Sequence, residues 1–198
     1  MPMKIEPVIL AGRVVRLEPL SEAHIQGLAN VGLEEEIWRF MRYGKLGTIE
    51  QLSTWVRELL ELQAKGTDLP FAVISLGNSQ AIGSTRYLEI DHLNRSLEIG
   101  GTWYGLDYQG TLVNTECKYL LLRHAFEVLG CVRVWFKTDS RNLRSQHAIE
   151  KLGAVREGVL RNHMTLPDGY IRDSVIYSIL PQEWPGVKQK LQARLESG

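Results

Sequence analysis

The chain has 198 residues, 44% apolar and 23% charged, with Lys+Arg and Asp+Glu both at 23. That length suits one domain with a sizeable core, so a single domain over 1–198 is expected. The composition excludes a disordered tail, a collagen-like fibre and a disulfide scaffold, and zero net charge argues against holding nucleic acid by an overall field.

Arg13-Val14-Val15-Arg16-Leu17-Glu18 mixes charge with β-branched residues and predicts a strand. Ser21 then caps a helix over 22–29, and a second helix is expected over 33–41. Thr48 followed by Gln51 fits a capping box, and Leu52, Trp55, Val56, Leu59 and Leu60 continue with helical spacing, so 49–65 is an amphipathic helix. The period then changes. Runs 71–76, 81–90 and 96–104, separated by Gly77-Asn78 and 91–95, predict an antiparallel meander.

A loop over 105–111 leads into a helix over 114–129, ended by Gly130. Val132-Arg133-Val134-Trp135-Phe136-Lys137 alternates as a strand, and 142–152 is helical before Gly153. Two strands, 154–165 and 170–180, flank the turn Pro167-Asp168-Gly169, and a helix over 183–196 closes the chain. The order β-α-α-α-β-β-β-α-β-α-β-β-α implies an α/β (mixed α+β) sheet with helices on both faces. One βαβ unit, from 96–104 through 114–129 to 132–137, requires parallel neighbouring strands and a right-handed crossover.

Cys117 and Cys131 lie in apolar stretches and predict reduced, buried thiols in a reducing, cytoplasmic compartment. Residues 1–6 show no apolar signal core, and the longest uncharged run, 69–85, is too short and too polar for a membrane span. His24, His92, His124, His147 and His163 do not group at ligand spacing, so no metal is expected.

Gln109-Gly110-Thr111-Leu112-Val113-Asn114-Thr115 stands where a strand gives way to a helix. Free N–H groups and the dipole at a helix start attract anions, so this segment suits a phosphate cradle, although a plain polar cap needs the same residues and is the simpler reading of the spacing. Gly100 and Gly105 have Walker spacing, but Leu106 stands where Lys is needed, and no G-x-G-x-x-G is present.

The pieces Leu97-Glu98-Ile99-Gly100, Asn114-Thr115-Glu116-Cys117-Lys118, Asn142-Leu143-Arg144-Ser145, 148–154 and Arg156-Glu157-Gly158 are weak singly and specific in order. Together they resemble the GNAT superfamily of N-acetyltransferases, in its RimJ/RimL-like branch. The resemblance implies the GNAT fold: a central, mixed, mostly antiparallel sheet with two splayed parallel strands, here 96–104 and 132–138. It implies acetyl-CoA as cosubstrate, bound by Trp103, Gln109, Gly110, Thr111, Leu112, Val113, Asn114, Thr115 and Asn142. The family's loop pattern is Gln/Arg-x-x-Gly-x-Gly/Ala, from which Leu112 and Asn114 depart.

By the same resemblance Glu98 is a general base and Ser145 protonates the leaving thiolate. Glu98 also fits a structural pairing with Arg86 or Arg95, and Asn142 and Ser145 also fit a helix cap. Trp38, Phe40, Arg42 and Tyr43 fall where the fold lines its acceptor groove, although Trp38 and Phe40 suit a core equally. The implied activity is acetyl transfer to a primary amine, of a protein N-terminus or a small molecule, by direct attack in a ternary complex. A non-catalytic acyl-CoA sensor on the same fold is the alternative. No nucleic acid or membrane partner is implied; a homodimer through 154–180 or the C-terminal tail is compatible.

Overall fold

A computed structural model describes residues 3–197. In chain order the elements are β1 (Leu10–Ala11), β2 (Val15–Pro19), α1 (Ile25–Gly32), α2 (Glu35–Trp38), α3 (Ile49–Ala64), β3 (Leu69–Ser75), β4 (Ala81–Asp91), β5 (Ser96–Tyr104), α4 (Leu112–Arg123), β6 (Arg133–Asp139), α5 (Leu143–Leu152), β7 (Val155–Thr165), β8 (Ile171–Ile179) and α6 (Trp184–Glu196). The strands form a sheet in the order β1-β2-β3-β4-β5-β6-β8-β7. All neighbours are antiparallel except β5 and β6, as the βαβ unit requires.

Each face of the sheet carries its own core. Val113, Cys117 and Leu121 of α4 pack with Trp184, Val187 and Leu191 of α6 over Tyr87, Leu97, Ile99, Val134 and Phe136. On the other face, Leu28 of α1 and Leu52, Trp55, Val56 and Leu59 of α3 pack over Ala72, Ile74 and Trp103. Trp38, Trp55 and Trp103 meet there with centroids 5.2–6.0 Å apart, within the favourable range for aromatic pairs. No helix among the described residues is long and apolar enough to cross a membrane.

Local chemistry sets the boundaries. Thr48 caps α3 by accepting Gln51 N, while the Gln51 side chain reaches back to Gly47 N. Asn142 caps α5 by accepting Ser145 N at 3.0 Å, and Gly153 ends it at φ +98. The helix expected over 33–41 is confined to Glu35–Trp38. Beyond it the Phe40 carbonyl accepts from Arg172, and Gly44 takes φ +70, so the chain leaves helical geometry. The helix expected over 114–129 starts two residues earlier, at Leu112, and turns into a π turn over His124–Val128. The Tyr87 hydroxyl donates to the Leu121 carbonyl at 2.7 Å and so competes for the acceptor that a regular α turn would use. The short β1 and a 3-10 turn over Leu106–Tyr108 carry no periodic signal and were not expected.

One buried carboxylate ties α4 to the start of the sheet. Glu116 is 2% exposed and accepts three backbone N–H groups, Arg13 at 2.8 Å, Val14 at 2.6 Å and Val15 at 2.7 Å. Gly12 is required beside it, because a Cβ there would stand 2.3 Å from the carboxyl carbon. Glu116→Ala strands these donors, and unfolding free energy should fall by about 3 kcal/mol. A lower urea midpoint at unchanged slope checks this.

Candidate active site

β5 and β6 pair at three positions only: Ser96 with Arg133, Leu97 with Val134 and Glu98 with Trp135. Beyond them β6 stays with β8 as far as Asp139, while β5 stays with β4. A cleft opens between them. On its β5 side Arg86 faces Gly100 and Ser84 faces Trp103, so Gly101 and Thr102 together oppose Thr85. This is a β-bulge, with Gly101 at φ +56, and a bulge frees backbone donors from the ladder.

Two side chains fill the space the glycines vacate. A Cβ on Gly100 would stand 2.6 Å from Glu98 Oε1, and one on Gly101 would stand 3.0 Å from Arg86 Nε. Glu98 is 3% exposed, and its partner is Lys137 at 3.3 Å, not Arg86 or Arg95. Glu98 Oε2 makes no aligned hydrogen bond and so keeps acceptor capacity. Burial pushes the Glu98 carboxyl above the usual carboxylate range, with Lys137 pulling the other way. Arg86 instead lies 3.2 Å from Asp68 and donates to the Tyr43 hydroxyl, leaving Nε and Nη1 without aligned acceptors. Burial likewise raises Asp68, against the pull of Arg86.

The mouth of the cleft is built from the 105–111 segment and the starts of α4 and α5. Thr111 caps α4 by accepting Val113 N, and Gly110 turns at φ +78 with open space where a Cβ would be. Gln109 donates to the Tyr104 carbonyl and accepts from Arg144 Nη1 at 2.6 Å, which joins this segment to α5. Leu112 is the first helical residue and half-buried, and Gly110 takes the left-handed turn just before it. Asn114 accepts from the Tyr104 hydroxyl. Val113 and Thr115 are buried, and Thr115 Oγ1 accepts from Arg194 of α6, so their side chains point away from the mouth. The Trp103 indole is core, which leaves only its backbone beside the bulge.

Ser145 lies half-buried in the first turn of α5 with its N–H held by Asn142, whose Oδ1 is thereby engaged. Trp38 is 1% exposed and donates its indole N–H to the Gly32 carbonyl; it belongs to the core and not to a groove wall. Phe40, Arg42 and Tyr43 remain accessible in the loop before α3. That loop is pinned twice, by Arg172 at the Phe40 carbonyl and by Arg86 at the Tyr43 hydroxyl. Arg141 stacks 3.4 Å over the Tyr170 ring, lies 5.6 Å from the Phe40 ring and chelates Asp139 through Nε and Nη2.

Burial pushes the Cys117 thiol up to about 12, so it is no nucleophile. No group of three or more His, Cys, Asp or Glu among the described residues is placed to hold a metal.

Residues 15–155 match the acetyltransferase (GNAT) domain family. The chain belongs to that family. GNAT proteins use acetyl-CoA as cosubstrate. A solved structure from T. thermophilus, named "putative acetyltransferase", is 43% identical, with 98% of this chain and 100% of that one covered at a TM-score of 0.88. A GCN5-related N-acetyltransferase from Brucella melitensis is 30% identical over 97% of this chain and 87% of its own, with a TM-score of 0.89. Among curated proteins, "Putative ribosomal N-acetyltransferase YdaF" of Bacillus subtilis (strain 168) is 33% identical over 99 residues, 50% of this chain. The match spans 53%, about half, of that relative's length. The GNAT resemblance and the fold class expected from the sequence are borne out.

Three residues in or beside the cleft were given no role by the sequence reading. Lys137 follows from strand alternation, since Trp135 and Lys137 share the Glu98 face while Val134 and Phe136 point into the core. Lys118 interrupts the apolar stripe of α4, and a lysine there is itself a signal. Arg144 meets Gln109 only through the tertiary fold. Gly101→Ala forces a side chain to φ +56 against Arg86, so it should cost about 1–2 kcal/mol of stability, as measured by chemical denaturation.

Proposed function

We propose that this chain moves an acetyl group from acetyl-CoA to a primary amine by direct attack in a ternary complex. One observation carries the reading: a buried carboxyl, Glu98, marks the point where β5 and β6 part, with the start of α4 at the mouth of the same cleft. The residues suit the cosubstrate. The unpaired N–H groups at the start of α4, Gly110 and the exposed Arg144 would hold its phosphates, and Gln109, Thr111, Leu112 and Asn114 would frame them. Asn142 retains its amide N–H₂ for the pantetheine arm.

Glu98 would take the proton from the attacking amine, directly or through a water. The N–C bond forms as the C–S bond breaks. Backbone N–H groups of the Gly101–Thr102 bulge would meet the oxygen that gains charge, and Ser145 would return a proton to the sulfur. No covalent enzyme intermediate is needed. The acceptor would enter past Phe40, Arg42 and Tyr43. The word "ribosomal" in the name of the curated relative favours a ribosomal acceptor, for which a protein N-terminus is the reading we adopt, over a free small-molecule amine. We read the whole chain as one acetyltransferase-like domain of the cytoplasm, consistent with two free, buried cysteines.

Calorimetry with acetyl-CoA, followed by thiol release with a panel of amines, tests this. Binding with turnover supports the transferase. Binding without turnover on any amine or N-terminal peptide means an acyl-CoA sensor, and no binding refutes both. Glu98→Gln should lower kcat by about 10²-fold or more while acetyl-CoA affinity holds. Because Glu98 must be ionised to act and its carboxyl is shifted upward, activity should rise with pH through a limb above the ordinary carboxylate value of about 4.3, and Glu98→Gln should abolish that limb. Arg144→Ala should weaken acetyl-CoA binding about tenfold with little effect on saturated turnover.

A further inference from the structure

Lys118 lies on the sheet side of α4 and is 6% exposed. Its ammonium donates to Thr102 Oγ1 at 2.7 Å, and Thr102 Oγ1 lies 2.8 Å from Thr85 Oγ1. Thr85 is the one β4 residue opposite the two bulged residues of β5. The ammonium therefore meets the bulge from the face opposite Arg86 and Glu98. Among the described residues no carboxylate lies within 4.0 Å of it; besides the neighbouring Cys117, Glu98 is the carboxyl group whose charge it feels. Burying an ammonium without an ion-pair partner is costly, and an apolar side chain of equal length would fill the same space without that cost. A charge kept there acts through its field or through the group it holds.

We propose that Lys118 is a positioning residue of the transfer step: through Thr102 it sets the β5 bulge, and it places a positive charge behind the bulge where the thioester oxygen gains negative charge. The proposal rests on the transferase reading above. Burial pulls the Lys118 ammonium down to about 8, which still leaves most of it charged at neutral pH. Glu98 faces other charges as well: Lys137 from β6, Arg86 and Glu89 from β4, Arg172 from β8 and Arg42 from the loop before α3. Lys118 is the cation that reaches it from α4.

The test compares the wild-type protein with Lys118→Met, Lys118→Arg and Thr102→Val. Lys118→Met should lower kcat about 30-fold, with the calorimetric acetyl-CoA dissociation constant changed less than about threefold. Lys118→Arg should keep kcat within about fivefold of wild type, because it keeps the charge. Thr102→Val, nearly isosteric, should reproduce part of the kcat loss even where Lys118→Met fails to fold. A readout independent of turnover is the ¹³C-NMR titration of the Glu98 carboxyl without acetyl-CoA. Loss of the Lys118 charge should move that titration to higher pH, and arginine should restore it. Wild-type turnover that survives both Lys118→Met and Thr102→Val overturns the role of Lys118, as does a Glu98 titration that Lys118→Met leaves unmoved. Absence of turnover in the wild-type protein with every amine refutes instead the transferase reading on which the role rests.

Discussion

Three parallel pairs hold β5 against β6, and the ladder ends at Glu98. The rest of the site depends on that parting. A parallel ladder leaves no room for a ligand between its strands, so the cleft exists only because each strand has another neighbour to keep. β6 remains paired with β8 to Asp139, and β5 regains register with β4 at Trp103. The bulge at Gly101–Thr102 makes the departure local. It costs one left-handed residue, which Gly101 supplies without the steric penalty that other residues carry there.

Buried charge is used in two ways in this molecule. Glu116 is satisfied at short range by three backbone donors, and Asp139 by the backbone and guanidinium of Arg141; both groups are structural ties with their hydrogen-bonding capacity engaged. Around the bulge the pattern reverses. Glu98 Oε2, Asp68 Oδ2 and Arg86 Nε and Nη1 are buried with ions nearby and no aligned hydrogen bonds. Leaving such groups short of partners is costly. Their concentration beside the point where β5 and β6 part sets this part of the sheet apart from its frame.

Much of the frame was legible in the sequence. The strand and helix order, the capping of α3 by Thr48 and the end of α5 at Gly153 all follow from residue chemistry acting over a few positions. The parallel β5–β6 pair followed from the strand–helix–strand order of the βαβ unit. Glu98 was legible as a position, but its partner was not: Arg86 and Arg95 were near in sequence, while Lys137 reaches it across a parallel crossover. Element ends failed where tertiary bonds override local preference. Arg172 at the Phe40 carbonyl shortens α2, and Tyr87 at the Leu121 carbonyl gives α4 its π turn. Trp38 and Trp103 illustrate a different limit, since an aromatic side chain suits a groove and a core equally until its neighbours are known. Their mutual packing with Trp55 assigns them to the core.

The same tertiary bonds join the two halves of the cleft. Arg86 reaches the loop before α3 at Tyr43 and lies against the bulge at Gly101, so the loop proposed to meet the acceptor and the strand proposed to hold the thioester share one guanidinium. Arg172 ties the same loop to β8, the strand that keeps β6 away from β5. That loop is therefore bonded to side chains from both β4 and β8. With the acceptor entering as proposed, acceptor fit and bulge geometry are one mechanical problem, and the loop carrying Phe40, Arg42 and Tyr43 is where specificity would be set.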